Sequence, residues 1–394
     1  MFNAILLYYT FGLKTLIIFL IINVFVSLYL KSYINKFYYS KEKSSKENNF
    51  HLNFPSFIRN DKNPSFSRIY FGLISFAYIK CFLYLILPLS VYIRIKIAVG
   101  NKKPNEVVND KAIYNKVLNI ISSTSYFMTI IAGIISPNKI DDKDKFNSIF
   151  KKYLGPEFNY NDSFNNNYST VICNHIGWID ILFLGYKEKG VYVAKDSVSK
   201  IPIIGTICRY YNCVFINRTG SKEEREESIK QIEKRQENIN KNQIDTKLIM
   251  FPEGTGNNNT GVLEFKKGPF AKLYPVKIYI VLIRDCLKNK LEKSNNTSKY
   301  FCVVASATNT FIHMIISFCY LYHNNFNYIE LPVFTPNEFL YKNYSNLGNS
   351  KSNIYAEVCR RVISEVGDLE LRSENYISKL NYLSKIFGKI IKST

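Results

Sequence analysis

Paired cysteines are missing from this sequence. Eight occur singly, at 81, 173, 208, 213, 286, 302, 319 and 359, with no CxxC and no ladder spacing. That pattern excludes a cysteine zinc site and a disulfide framework, and it suits reduced thiols in a cytosol-facing domain. Histidine is scarce, with four in the chain, and acidic residues are outnumbered by basic ones, 31 to 52, for a formal net charge of +21. Such a balance fits a nucleic acid, an anionic membrane surface or a negatively charged small molecule as partner. The 30 tyrosines and 29 phenylalanines tip the choice, because they sit largely inside long apolar runs and are not interleaved with Lys and Arg. Membrane lipids are therefore the expected partner. With no stacking platform and no basic helix, nucleic acid is not. Asn clusters such as NNNY, GNNNTG and SNNTS read as compositional bias in loops, the Asn-x-Ser/Thr matches at Asn258 and Asn295 included.

At 394 residues the chain has room for two average domains, or for one with membrane-embedded additions. Residues 1–30 are almost wholly apolar, with Lys14 their only charge, and read as a membrane anchor helix. A cleaved signal peptide is the competing reading, but no small-residue cleavage site precedes the lysines that follow. Residues 31–67 form a basic Asn/Lys-rich linker, and its lysines at 31, 36, 41 and 43 place it on the cytosolic side. Residues 68–136 supply membrane-embedded or interfacial helices. The apolar run 69–93 carries Lys80 near its middle and Pro88 toward its end. A charge at mid-bilayer is costly, so a bent or re-entrant helix competes there with a straight span. The run 117–136 reads as a helix at the membrane-facing edge.

Residues 137–345 have the pattern of an α/β domain, and 346–394 that of a C-terminal helical segment. STVICN, GVYVAK, NCVFINR, TKLIMF and VKIYIVLIRD are continuous apolar runs bounded by Gly, Pro, Asn and Asp, which suits strands buried on both faces. The expected fold class is α/β, a mixed sheet flanked by helices and preceded by hydrophobic membrane helices. Between the strands, Ser221 and Glu224 spell a capping box at the head of a solvated helix. The apolar stretch 301–322 reads as a packed or interface-facing segment, with His313 structural.

Four short segments carry chemistry. In NHIGWID, His175 is followed five residues later by Asp180. On one continuous helix that separation leaves the two side chains about 140° apart, so they meet only if His175 lies in a turn before a helix that carries Asp180. The carboxylate would then bind Nδ1–H and leave Nε2 as a general base. Blandly, a lone His at a strand end is a satisfied polar residue. In KLIMFPEGTGNNNTGVLEFKKGPF, Glu253, Gly254 and Thr255 end a strand, with Lys266 and Lys267 further on. They suit hydroxyl or phosphate contacts, or else a plain turn with an exposed acid. Arg218, just beyond the strand CVFIN, suits bidentate phosphate binding or a solvated ion pair. LYPVKIYIV is a Pro-led strand.

In order and spacing these segments resemble the glycerolipid acyltransferase superfamily built around an HxxxxD motif. His175 and Asp180 match its first block. Gly205 with Phe215, Ile216, Asn217 and Arg218 resembles the second, Phe251 to Thr255 the third, and Pro275 with Val276 the fourth. The chain is most similar to the branch that acylates lysophosphatidylcholine or lysophosphatidylethanolamine, through VYVAKDSVSKIPIIG, through Asn258 three residues after EGT, and through FKKGPF. IELPVFTPNE and YAEVCRRVISEVGDLELRSENY extend the likeness toward the carboxyl terminus. Two positions depart from the family pattern. Gly256 stands where phosphatidic-acid-forming members usually have Arg, which argues against bare lysophosphatidate as acceptor, and Asn217 stands where an Asp or Lys is common.

The resemblance implies a glycerol-phosphate acyltransferase-like fold and acyl transfer from acyl-CoA to the free glycerol hydroxyl of a lysophospholipid. His175 would be the general base, helped by Asp180. Arg218, Glu253, Gly254, Thr255, Asn258, Lys266 and Lys267 would bind substrate. Acyl-CoA enters as co-substrate, with no cofactor and no metal implied. The expected location is a membrane, the endoplasmic reticulum, with the domain facing the cytosol. The alternatives are an acyltransferase acting on 1-acylglycerol 3-phosphate or glycerol 3-phosphate, and a non-catalytic membrane scaffold.

Overall fold

The computed structural model describes residues 2–37, 53–59, 63–165, 167–217, 221–241, 246–283, 309–323 and 326–387. The apolar runs of the α/β region become strands: β2 (Thr170–Cys173), β3 (Val191–Lys195), β4 (Val214–Ile216), β5 (Leu248–Met250) and β7 (Val276–Ile283). With β1 (Asn138–Lys139) and β8 (Phe326–Phe334) they form a sheet in the order β1-β8-β7-β2-β5-β3-β4. Among the described residues of this sheet, only the β7/β8 pairing is antiparallel. The sheet is therefore mixed and mostly parallel, as expected.

Continuous apolar runs are needed because both faces are covered. Alternate residues of each strand enter separate cores. Val171, Cys173, Tyr279, Val281 and Ile283 pack with Ile179, Phe183 and Leu184 of α5 (Trp178–Glu188). Ile172, Ile278, Ile280 and Leu282 face the other way, against Tyr355, Val358, Cys359 and Val362 of α8 (Lys351–Gly367). Each such side chain, taken fully from water, contributes about 1.5–3 kcal/mol. The carboxyl-terminal segment is thus part of the core, and it is not helical throughout. β9 (Glu370–Leu371) pairs with β6 (Gly261–Val262) before α9 (Tyr376–Phe387).

Among the described residues, two helices are long and apolar enough to cross a membrane. One is Gly12–Asn35, within α1 (Phe2–Asn35), and the other is Phe66–Val99. The second runs from α2 (Phe66–Gly72) through a π-helical turn at Leu73–Ala77 into α3 (Tyr78–Val99). Lys80 does not face outward from it. It is 8% exposed, and its ammonium donates to the carbonyls of Tyr320 and Leu321 at 2.8 and 3.0 Å. Those carbonyls follow α7 (Thr310–Phe318), in the described part, 309–322, of the 301–322 stretch; α7 packs one face, with Ile316 and Phe318, into the core and leaves Phe311 exposed. The opposite face of α3 keeps Phe82, Leu85, Leu89, Ile93 and Ile97 exposed, a stripe at helical spacing free of that charge. α4 (Lys111–Ile131) lies between α3 and α5.

Between β4 and β5 runs α6 (Lys222–Asn240), which opens with the expected capping box. Ser221 Oγ accepts from Glu224 N–H, and Glu224 Oε2 accepts from Ser221 N–H.

Candidate active site

β2 and β5 are parallel neighbours, with Ile172 opposite Met250, so the chain leaves both strands at the same edge of the sheet. From β2 the chain goes toward β3, and from β5 it returns across β2 to β7. Divergence of two connections opens a crevice at the carboxyl ends of the strands. His175 enters that crevice from β2, and residues 251–260 enter from β5.

His175 lies in the turn after β2, and Asp180 lies in the first turn of α5. One carboxylate oxygen, Asp180 Oδ2, stands 2.9 Å from His175 Nδ1 and accepts from the N–H groups of Ile176 and Gly177 at 2.7 and 3.1 Å. The same side chain thus satisfies orphan donors at the helix start and orients the ring. With Nδ1–H directed at Asp180, Nε2 is left as the basic nitrogen. Asp180 is fully buried, while the His175 side chain keeps 18% exposure. Phe251 stacks flat on the imidazole at 4.3 Å, and Tyr192 lies behind Phe251 in a parallel plane.

The backbone of His175 is held as firmly as its ring. Its N–H donates to Glu253 Oε1 at 2.8 Å, and its carbonyl accepts from Asn257 N–H at 3.0 Å. Glu253 Oε2 accepts from the side-chain amide of Asn257 and from Leu263 N–H. Glu253 is fully buried, and all three of these donors are internal. Burial pushes its carboxyl up to about 8, against the pull of those donors. These bonds make Glu253 a brace behind His175. A single buried side chain that accepts from three N–H groups ties two loops together.

The reading of GNNNTG as compositional bias is corrected by its bonds. The segment is a buried network and not composition. Asn257, Asn258 and Asn259 are all buried. Asn259, at φ +64°, donates to Val281 O and accepts from Ile283 N–H, in a left-handed conformation that Asn tolerates. Asn174 makes the matching pair of bonds to Val281. Asn258, expected at the substrate, donates its amide to the carbonyls of Pro55 and Ile58. An Asn-rich background hides such residues in the sequence. The usable signal was three consecutive Asn directly after a strand-ending EGTG.

Gly254 turns the chain at φ +68°, and Thr255 is buried beside it. Lys266 and Lys267 are exposed, with the Lys266 stem near Gly254. Gly205 has no room for a side chain, since a Cβ there would sit 2.1 Å from Ser199 O. Arg218 lies outside the described residues. His313 is buried and accepts from Trp178 Nε1 at 3.3 Å, in keeping with a structural role. Among the described residues, no group of three or more His, Cys, Asp or Glu side chains could hold a metal ion.

Chemically, the crevice offers an oriented, partly exposed imidazole with its carboxylate partner and no nucleophilic Ser or Cys in the hydrogen-bonded set. Residues 159–284 match the model of the acyltransferase family. The lysophospholipid acyltransferase LPEAT1 of Arabidopsis thaliana is 26% identical over 220 residues, 56% of this chain and 50% of that protein. Lysophosphatidylcholine acyltransferase 1 of Homo sapiens is 27% identical over 173 residues, 44% of this chain and 28% of that one. The chain therefore spans half or less of the length of these relatives. Among solved structures, the 1-acyl-sn-glycerophosphate acyltransferase PlsC from Thermotoga maritima gives a TM-score of 0.38 at 17% identity, over 73% of this chain and 97% of that one.

Proposed function

We propose, since residues 159–284 match the model of the acyltransferase family, that this protein is a membrane-bound lysophospholipid acyltransferase that takes its acyl group from acyl-CoA. The observation that carries the reading is the His175–Asp180 pair, 2.9 Å apart at the open edge of the sheet, with the imidazole partly exposed. His175 Nε2 removes the proton from the free glycerol hydroxyl as its oxygen attacks the thioester carbonyl. The C–S bond breaks, and the proton held by His175 passes to the departing CoA thiolate. Thiolate is a good leaving group, so no covalent enzyme intermediate is required.

Support for the acceptor class comes from the relatives, whose names specify lysophospholipid and lysophosphatidylcholine substrates. Gly256 supports it as well, because no side-chain cation follows the EGT turn. Lys266 and Lys267, exposed beside that turn, are proposed to meet phosphate of the acceptor or of CoA, together with Arg218. The two spanning-length helices would hold the domain at a membrane, proposed to be the endoplasmic reticulum with the domain facing the cytosol. The rival acceptor, 1-acylglycerol 3-phosphate, is the substrate in the name of a Caenorhabditis elegans relative, 32% identical over 104 residues.

The test is transfer from one acyl-CoA to a mixture of lysolipids, read by product mass. Diacyl products of choline or ethanolamine lysolipids are expected. Phosphatidic acid as the main product would replace the acceptor, and absence of any CoA release would remove the enzyme reading.

A further inference from the structure

The EGTG loop is held by two segments outside residues 159–284. From the amino-terminal side comes the turn Pro55–Phe57, whose Ser56 carbonyl accepts from Asn258 N–H at 2.9 Å. From the carboxyl-terminal side comes α9, whose Lys379 ammonium donates to Gly256 O at 2.9 Å. The two segments are joined to each other. Glu374, just before α9, accepts from Ser56 N–H at 3.1 Å, and Tyr382 of α9 sits between the rings of Phe54 and Phe57 at 5.6 and 6.0 Å. Phe37, after α1, joins the same cluster through Phe387 at 6.0 Å.

Gly256 C=O and Asn257 N–H are the two ends of one peptide group, which is planar and stiff. Its carbonyl end meets Lys379, and its N–H end meets the His175 carbonyl at 3.0 Å. A charged donor on the carbonyl fixes the plane of the group and polarises it, which strengthens the N–H as a donor at the far end. We infer that Lys379 is a positioning residue for His175, acting through this single peptide group. The role rests on the reading of His175 as the base. Burial lowers the pKa of Lys379 to about 8, and the Phe57 ring lies 5.9 Å from the Nζ. A helix beyond the family-matched segment, clustered with the end of a membrane helix, thereby becomes part of how the base is aimed.

The test uses the full chain in lipid–detergent micelles with saturating acyl-CoA and a lysophospholipid. Lys379→Met is expected to lower kcat about 10- to 100-fold, the scale of a small misplacement of a catalytic group, with KM for both substrates little changed. Lys379→Arg should recover most of the rate, and Ile377→Ala, an exposed change on the same helix, should leave it alone. Wild-type kcat in Lys379→Met overturns the inference. A raised KM with kcat kept overturns it too, because Lys379 would then be binding substrate. If the Met variant does not fold, Lys379→Gln keeps a neutral donor. It should show a several-fold lower kcat, and full kcat there overturns the role of the charge. His175→Ala run alongside separates the two readings. If that variant is inactive, a negative result at Lys379 removes only the positioning role. If it stays active, the base reading itself falls.

Discussion

At Glu253, burial and hydrogen bonding act in opposite directions on one carboxyl, and burial prevails, taking it from 4.5 up to about 8. Between about pH 4.5 and 8 the folded chain keeps a proton that the unfolded chain has released. The contribution of this group to stability is therefore full below about pH 4.5 and is lost as pH rises through about 8. Unfolding in detergent, followed from about pH 5 to 8.5, should show that decline, with a flatter slope in Glu253→Gln. An equal slope in both would show that another group is responsible. The Gln amide also turns a donor toward N–H groups, so at fixed pH the variant should lose about 1–3 kcal/mol. The His175–Asp180 pair was legible in the sequence because five residues across a strand-to-helix turn admit one arrangement in which they meet. The supports behind it were not. Asn257 and Asn259 look like their many neighbours of the same type, and the bonds of Glu253 depend on where β5 lies beside β2.

Among the elements, α6 was the most readable, since its capping box, solvated charges and length are all local properties. Ser221→Ala should cost about 1 kcal/mol, the usual worth of such a cap, seen as a small shift in the unfolding midpoint. Gly205→Ala belongs at the other extreme. Its Cβ would press on Ser199 O at 2.1 Å, so the short helix Ile204–Tyr210 has to move and the variant should yield little folded protein. Wild-type yield and stability would contradict that packing. The run 69–93 could not be resolved from sequence because the position of Lys80 is a tertiary matter. The charge is turned inward onto the Tyr320 and Leu321 carbonyls, which a distant segment supplies. Lys80→Met should leave those acceptors unpaired and destabilise the fold by about 1–3 kcal/mol, measured by thermal unfolding.

Across the whole molecule, one apolar face and one polar crevice belong to the same body. The stripe of α3 from Phe82 to Ile97 is uncovered, while the sheet edge with His175 is built from buried bonds. If that stripe meets lipid, Phe82→Glu with Leu85→Glu should reduce flotation of the protein with phosphatidylcholine vesicles at unchanged secondary structure. Equal flotation would assign the attachment to α1 alone. The α/β order was readable because β2, β3, β4, β5 and β7 lie in short apolar runs, whereas β1 and β9, exposed pairs of residues, carry no such pattern. The integration of residues 351–387 into the core and against the EGTG loop was not, because it depends on contacts more than a hundred residues apart in the chain, such as Lys379 to Gly256. The acyl-transfer role proposed for His175 and Asp180 is tested most directly by the rate of lysophospholipid acylation from labelled acyl-CoA in His175→Ala and Asp180→Asn beside the wild type. Both variants should fold and be slowed by about 100-fold or more, and transfer at the wild-type rate in either would contradict that role.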